Sequence, residues 1–273
     1  MITTVINSSR NKSIHIDVNF CKQNKQPIVI FSHGFKGFKD WGPFNAMSAY
    51  FADSGLNFLK FNFSHNGVTT SNPCEFTDLD AFGNNNFTIE LEDLDSVIHW
   101  VLSELKDKVD INRIFLMGHS RGGGISILTA EKNIYIKKLV SWASVSDFER
   151  RIQNDKIDLW QERGVVYVFN SRTNQQLPLF YQFYEDFTNN KDYLSIPNAS
   201  KKLSIPVLIV HAKNDKTVDF SDALELKAWI KNASLFSIED SDHVFDSKHP
   251  FYQNQFPENL QLAIDNTISF FKT

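Results

Sequence analysis

Apolar positions along the chain follow two alternating rhythms, short unbroken runs and longer stretches at helical spacing. That alternation is the mark of a mostly parallel sheet with helices packed on it. Ile28–Phe31, Leu56–Phe63, Arg113–Met117, Lys138–Ala143, Ile205–Val210 and Ser234–Ile238 read as strands buried on both faces. A pair over Thr3–Ile6 and Ser13–Phe20, split by a polar turn, reads as an antiparallel hairpin. Together these segments predict a central sheet of about eight strands.

Helices are predicted over Trp41–Ser54, Thr88–Leu105, Ser120–Lys132, Ser221–Ile230 and Glu258–Phe271. The second is the clearest. Leu91, Leu94, Val97, Ile98, Val101, Leu102 and Leu105 recur on one face, and Glu90, Glu92 and Asp93 sit where the helix dipole favours negative charge. Gly55 stops the first helix in the usual C-terminal position. Residues 65–87 are polar, contain Pro73 and are expected to form a long surface loop. Between Ala143 and Ile205 lie about sixty residues where one crossover helix would suffice. They are read as an inserted cap over about 146–203, with a small hairpin (Val165–Phe169 and Gln175–Leu179) and aromatic helical pieces around Phe180, Tyr181, Phe183, Tyr184 and Phe187. The 273 residues are otherwise expected to form one domain.

Composition narrows the function. With 42% hydrophobic and 22% charged residues the chain is neither disordered nor a membrane protein. A net charge of −4 gives no basic stripe for nucleic acid. No apolar run is long enough to span a bilayer, and no basic-then-apolar leader opens the chain, so a cytoplasmic protein is expected. Cys21 and Cys74 have neither metal nor redox spacing. No H-E-x-x-H, Cys/His cluster or phosphate loop occurs, so no metal or cofactor is expected. Asn-x-Ser/Thr sequons such as those at Asn86 and Asn198 are read as chance matches.

Gly118-His-Ser-Arg-Gly122 is a G-x-S-x-G motif running from a predicted strand into a predicted helix, the context in which the serine sits on a strained turn. Ser120 is therefore the candidate nucleophile; the bland alternative is a bystander serine in a glycine-rich turn. A serine hydroxyl needs a base within hydrogen-bond reach. In the chain order serine, acid, histidine that accompanies this motif, His243 follows the strand Ser234–Ile238 and is the candidate base, with His249 as fallback. His211 precedes the acid and is set aside on order. Asp215, just past Val210, is the candidate acid; Asp219 competes with it, and Asp147 is the main alternative. Asp240 and Asp242 are close enough to His243 to shape its loop instead. Backbone N–H groups of Arg121 and Phe35, the latter in the His33-Gly-Phe-Lys-Gly37 loop, are candidate oxyanion donors. The side chains of Lys36 and Arg121 are read as solvated or structural, with contact to an anionic substrate as the alternative.

The motifs His33-Gly-Phe-Lys-Gly37, Gly118-His-Ser-Arg-Gly-Gly123, Asn214-Asp215 with Val218, and Asp242-His-Val-Phe245 together resemble the acyl-esterase and dienelactone-hydrolase-like branch of the α/β-hydrolases. The resemblance implies the α/β-hydrolase fold, acyl transfer to water through an acyl-serine without cofactor or metal, and a cap over the site. Two departures stand out. Dienelactone hydrolases proper use cysteine as nucleophile, which moves this chain toward esterases. The His65-Asn-Gly67 loop also lacks the arginine of an Arg-Gly-His-Gly stretch. The expected activity is hydrolysis of a carboxylic ester of a small to medium molecule. The alternatives are an amidase, exopeptidase or thioesterase using the same triad, or a ligand-binding receptor on a hydrolase scaffold.

Overall fold

Two short strands at one edge precede the buried runs. The computed structural model describes residues 1–152 and 157–273. Strands β1 (Ile2–Asn7) and β2 (Ser13–Asn19) form an antiparallel hairpin. Six further strands are β3 (Gln26–Ser32), β4 (Asn57–Phe61), β5 (Val109–His119), β6 (Ile136–Trp142), β9 (Val207–Ala212) and β10 (Ala233–Ile238). They run parallel to one another, and β2 pairs antiparallel with β4. The eight-stranded order is β1-β2-β4-β3-β5-β6-β9-β10.

Side chains of β3 alternate between the two cores, as strand geometry requires. Ile28 and Ile30 pack with Leu94, Val97 and Ile98 of α3 (Phe87–Glu104), while Val29 and Phe31 pack with Met47 and Phe51 of α1 (Phe44–Asp53). Ile264 and Phe271 of α9 (Glu258–Lys272) belong to that second face. Helices thus cover both sides. The chain moves from β3 outward to β4 and then returns to place β5 on the other side of β3. Loops leaving the carboxyl ends of β3 and β5 therefore diverge at a switch point, where open α/β sheets form their crevice.

The first helix begins three residues later than its periodicity suggested, because Gly42, with φ +51°, and Pro43 hold the preceding turn. The stretch 65–87 is not a plain surface loop. It contains α2 (Leu79–Asn84), and Val68, Phe76, Ala81 and Phe82 are buried. Those scattered apolar residues have too short a run to show a period. Between β6 and β9 lie a 3₁₀ turn (Glu149–Arg151), α5 (Ile157–Arg163), the hairpin β7 (Val165–Asn170) and β8 (Gln175–Phe180), α6 (Gln182–Asn189) and α7 (Ile196–Lys202). The hairpin forms its own two-stranded sheet, with α2 packed on β8. Helix α7 packs between α4 (Arg121–Lys132) and α8 (Phe220–Trp229), the place of an ordinary crossover helix. Of the stretch expected as a cap, residues 153–156 lie outside the described residues. Among the described residues no helix is long and apolar enough to cross a membrane, and Cys21 and Cys74 are free thiols.

One buried ionic network ties the sheet to the loop after β3. Lys60 of β4 has a fully buried side chain, and its Nζ donates to Asp17 Oδ2 and Asp40 Oδ1, each at 2.6 Å. Lys39 Nζ donates to the other oxygen of Asp40 and to Asp17 Oδ2, also at 2.6 Å. Lys39 N–H donates to Asn62 Oδ1 at 2.7 Å, so residues 39–40 are clamped to β2, β4 and the turn beyond. Removing Lys60 would leave two carboxylates sharing the single ammonium of Lys39, an unbalanced charge in a largely buried network. Lys60→Met is expected to cost about 3–5 kcal/mol of stability in urea unfolding; a cost below about 1 kcal/mol would contradict the clamp.

Candidate active site

Ser120 occupies the single residue between the end of β5 and the start of α4. Its φ of 57° and ψ of −121° are unfavourable for a residue with a Cβ and cost on the order of 1–3 kcal/mol. Its neighbours over-determine the turn. Ser120 N–H donates to the Trp142 carbonyl at 2.9 Å, and the Ser120 carbonyl accepts from Gly123 N–H at 3.0 Å. A Cβ on Gly122 would lie 2.3 Å from the Ser32 carbonyl oxygen and 2.5 Å from that of His33. Glycine is required there because the first turn of α4 presses on the end of β3.

That same contact brings the loop after β3 against the serine. A Cβ on Gly34 would stand 2.9 Å from Ser120 Cβ. His33 is buried and holds the loop in place. Phe63 N–H donates to His33 Nε2 at 3.4 Å, so Nε2 is the acceptor and Nδ1–H donates to the Gly34 carbonyl at 2.9 Å. Burial pushes its pKa down to about 4, keeping the ring neutral. Phe35 follows directly. Arg121 is the first residue of α4, where a backbone N–H has no acceptor within the helix. Both residues line the same cavity as Ser120.

His243 and Asp215 meet through the loops after β10 and β9. His243 Nδ1 lies 2.7 Å from Asp215 Oδ2, and the Asp215 side chain is fully buried. The other carboxylate oxygen accepts from the N–H groups of Thr217 at 2.8 Å and Val218 at 3.0 Å. Burial alone would favour the neutral acid. Hydrogen bonds from His211 and His243 outweigh it and hold the Asp215 pKa well below the usual carboxylate range. His243 lines the cavity beside Ser120, although no hydrogen bond joins the two side chains among the described residues. Such bonds often tighten only around substrate.

Two further histidines brace this pair, and chain order alone did not reveal them. His211, set aside as a base, is fully buried, with Nε2 2.9 Å from the Val218 carbonyl and 3.4 Å from Asp215 Oδ2. His119 Nε2–H donates to the backbone carbonyl of His243 at 2.9 Å. Burial and the neighbouring His243 push the His119 pKa down to about 3, so it stays a neutral donor. Their signal in the sequence was only position, one at the end of β9 and one beside the serine.

The remaining candidates lie elsewhere or serve the scaffold. Asp147 Oδ1 accepts from Glu149 N–H at 2.8 Å, just ahead of the 3₁₀ turn. Asp242 Oδ1 accepts from Val244 and Asp246 N–H, each at 2.9 Å, shaping the His243 loop. His249 Nδ1 accepts from Gly42 N–H at 2.9 Å. The Arg121 guanidinium pairs with buried Glu90 at 3.3 Å and lies 4.0 Å from the Phe35 ring centroid, a structural role. Trp41 lines the cavity, whereas Phe38 is core.

The cavity above Ser120 has a volume of about 1030 Å³. One part is apolar, walled by Phe87, Phe148, Trp160 and Phe183, with Phe87 and Phe148 stacked at 3.9 Å. Another part is lined by Lys36, Arg172, Lys248 and His249. Among the described residues no group of His, Cys, Asp or Glu is placed to hold a metal ion.

A family model for the alpha/beta hydrolase fold matches residues 83–247, more than half of the chain. The chain belongs to the α/β-hydrolase fold family. It is also similar to "Putative esterase/lipase 2" of Mycoplasma genitalium, with 21% identity covering 96% of this chain and 98% of that one. The solved structure "Ferulic Acid bound to Est1E from Butyrivibrio proteoclasticus" superposes with a TM-score of 0.74 at 18% identity, covering 98% of each chain. An esterase domain from Rhodothermus marinus does so with a TM-score of 0.66 at 15% identity, covering 98% of this chain and 96% of that one.

Because the Gly122 contact sets both the serine turn and the loop carrying Phe35, Gly122→Ala is expected to cost about 3 kcal/mol or more. Denaturant unfolding measures it. A variant as stable as wild type would show that β3 and α4 are not pressed together.

Proposed function

We propose that this protein is a carboxylic-ester hydrolase in which Ser120, His243 and Asp215 form an acyl-transfer triad. The observation that carries the reading is a serine on a strained strand-to-helix turn, sharing a cavity with a histidine anchored at 2.7 Å to a buried carboxylate. The similarity to an esterase/lipase and to esterase structures supports it.

In this mechanism Ser120 Oγ attacks the ester carbonyl carbon while His243 Nε2 takes its proton. Asp215 accepts the Nδ1–H bond throughout, holding the tautomer and stabilising the imidazolium. The carbonyl oxygen becomes an oxyanion facing the N–H groups of Phe35 and Arg121, an arrangement typically worth a few kcal/mol per donor. Collapse expels the alcohol, which leaves with the proton from His243. Water then attacks the acyl-serine, giving its proton to the same nitrogen, and the carboxylic acid departs as Ser120 is restored. No cofactor or metal enters these steps.

We read residues 1–273 as one α/β-hydrolase domain, with the cap within the segment at about 146–203 and α7 at the end of that segment serving as the crossover helix. Val166, Val168, Leu179 and Phe183 of that segment line the cavity, and they would set acyl or alcohol preference. The cavity size suits a small to medium ester. Two free thiols fit a reducing, cytoplasmic setting.

Hydrolysis of 4-nitrophenyl esters of graded acyl length tests the reading. Ser120→Ala is expected to lower kcat by about 10⁴-fold or more, and Asp215→Asn by roughly 10³–10⁴-fold with KM little changed. Folded wild type that is no faster than Ser120→Ala on every ester would overturn it.

A further inference from the structure

The cavity lining departs from the charge of the whole molecule. The chain carries a net −4, yet six cationic side chains line this cavity and Asp242 is the acidic side chain among its lining residues. Two of those cations are neutralised nearby, Arg121 by Glu90 at 3.3 Å and Arg151 by Asp222 at 3.1 Å. Lys36, Arg172, Lys216 and Lys248 have no ion-pair partner among the described residues. Asp242 offers little compensation, since one of its oxygens is already held by two backbone N–H groups.

Lys36 and Arg172 are brought together by the fold. Lys36 follows Phe35, and its Nζ donates to the Phe169 carbonyl at 3.3 Å; Arg172, in the tip of the β7–β8 hairpin, donates back to the Lys36 carbonyl. These contacts occupy one donor of each side chain, leaving two N–H on the ammonium and most of the guanidinium fork for a ligand. The like charges disfavour one another. Burial and then the Arg172 charge lower the Lys36 pKa. Trp41 stacks with His249 and lies beside Arg172, whose Cζ is 5.6 Å from its ring centroid, and the indole N–H has no acceptor among the described residues. Glu75 shares a neighbouring cavity of about 420 Å³ with Arg172 but forms no ion pair with it. Arg172, Lys216 and Lys248 are exposed and Lys36 is half-buried, so water solvates them in the free protein; gathered on one cavity without an ion-pair partner, they remain a favourable setting for an oxyanion.

We propose that the substrate carries, besides the ester that reaches Ser120, a second and anionic group, a carboxylate or phosphate, bound between Lys36 and Arg172 with Lys248 nearby. The proposal rests on the ester-hydrolase reading and names its substrate class. The planar fork of Arg172 matches two oxygens of either anion, and the ammonium of Lys36 adds a point charge. The apolar part of the cavity would take the uncharged remainder of the molecule.

The test compares kcat/KM for 4-nitrophenyl hydrogen succinate and for 4-nitrophenyl pentanoate, a neutral ester of similar length, in wild type, Arg172→Gln, Arg172→Lys and Arg172→Gln/Lys248→Gln. Wild type is expected to favour the anionic ester by about tenfold or more, and to do so less as salt rises. Arg172→Gln should lower that ratio about tenfold and the double variant further, while Arg172→Lys, which keeps the charge but not the fork, should fall between wild type and Arg172→Gln. Inhibition of pentanoate hydrolysis by free succinate against inorganic phosphate separates the two anions. If pentanoate is turned over but the ratio is one or less, or is unaltered by Arg172→Gln and the double variant, the anionic subsite is wrong while the esterase reading stands. If neither ester is hydrolysed above a Ser120→Ala control, the esterase reading fails and takes this inference with it.

Discussion

The close approach of α4 to the end of β3 is the constraint on which the rest of the site depends. With no side chain at Gly122, the helix can press its first turn onto the carbonyls of Ser32 and His33. That contact sharpens the turn at Ser120, holds its backbone in a strained conformation and draws Gly34 against the serine. A strained residue persists only where its surroundings over-determine it. Here they include a hydrogen bond to β6, one into α4, and the pressed loop itself. Conformational strain at Ser120 is thus sustained by sheet and helix packing several residues away.

Electrostatics completes what packing begins. Asp215 is removed from water but keeps its charge because one oxygen receives two backbone donors and the other faces two imidazoles. The three buried or half-buried rings around the turn have separate tasks. His33 and His119 are kept neutral by burial and hold backbone carbonyls, whereas His243 faces the cavity. The Lys39–Asp40–Lys60–Asp17 network extends this order outward, fixing the far end of the loop that begins at His33. The cavity then meets two environments, aromatic on one part and cationic on another.

The sheet was legible because its strands are short, unbroken apolar runs, and α3 because seven apolar residues keep helical spacing. Ser120 could be named from G-x-S-x-G between a strand and a helix, and Asp215 and His243 from order; the structure places the latter two 2.7 Å apart. What stayed hidden is tertiary. Helix α2 has six residues, too few to show a period, and Phe76 and Phe82 are buried mainly by contacts from elsewhere in the chain. His211 looked like a strand-end residue, and its nearness to Asp215 comes from the way the 213–218 loop turns back. The clasp between Lys36 and the hairpin tip joins residues far apart in sequence, and no local pattern announces such a contact.

The most direct measurement is labelling of the wild-type protein with a fluorophosphonate, followed by mass spectrometry of the modified peptide. An activated serine reacts as a nucleophile whether or not its natural ester is known. Stoichiometric modification at Ser120, abolished in His243→Ala, is the expected result. A folded wild-type protein that remains unlabelled, or that is labelled equally well without His243, would contradict a triad centred on Ser120.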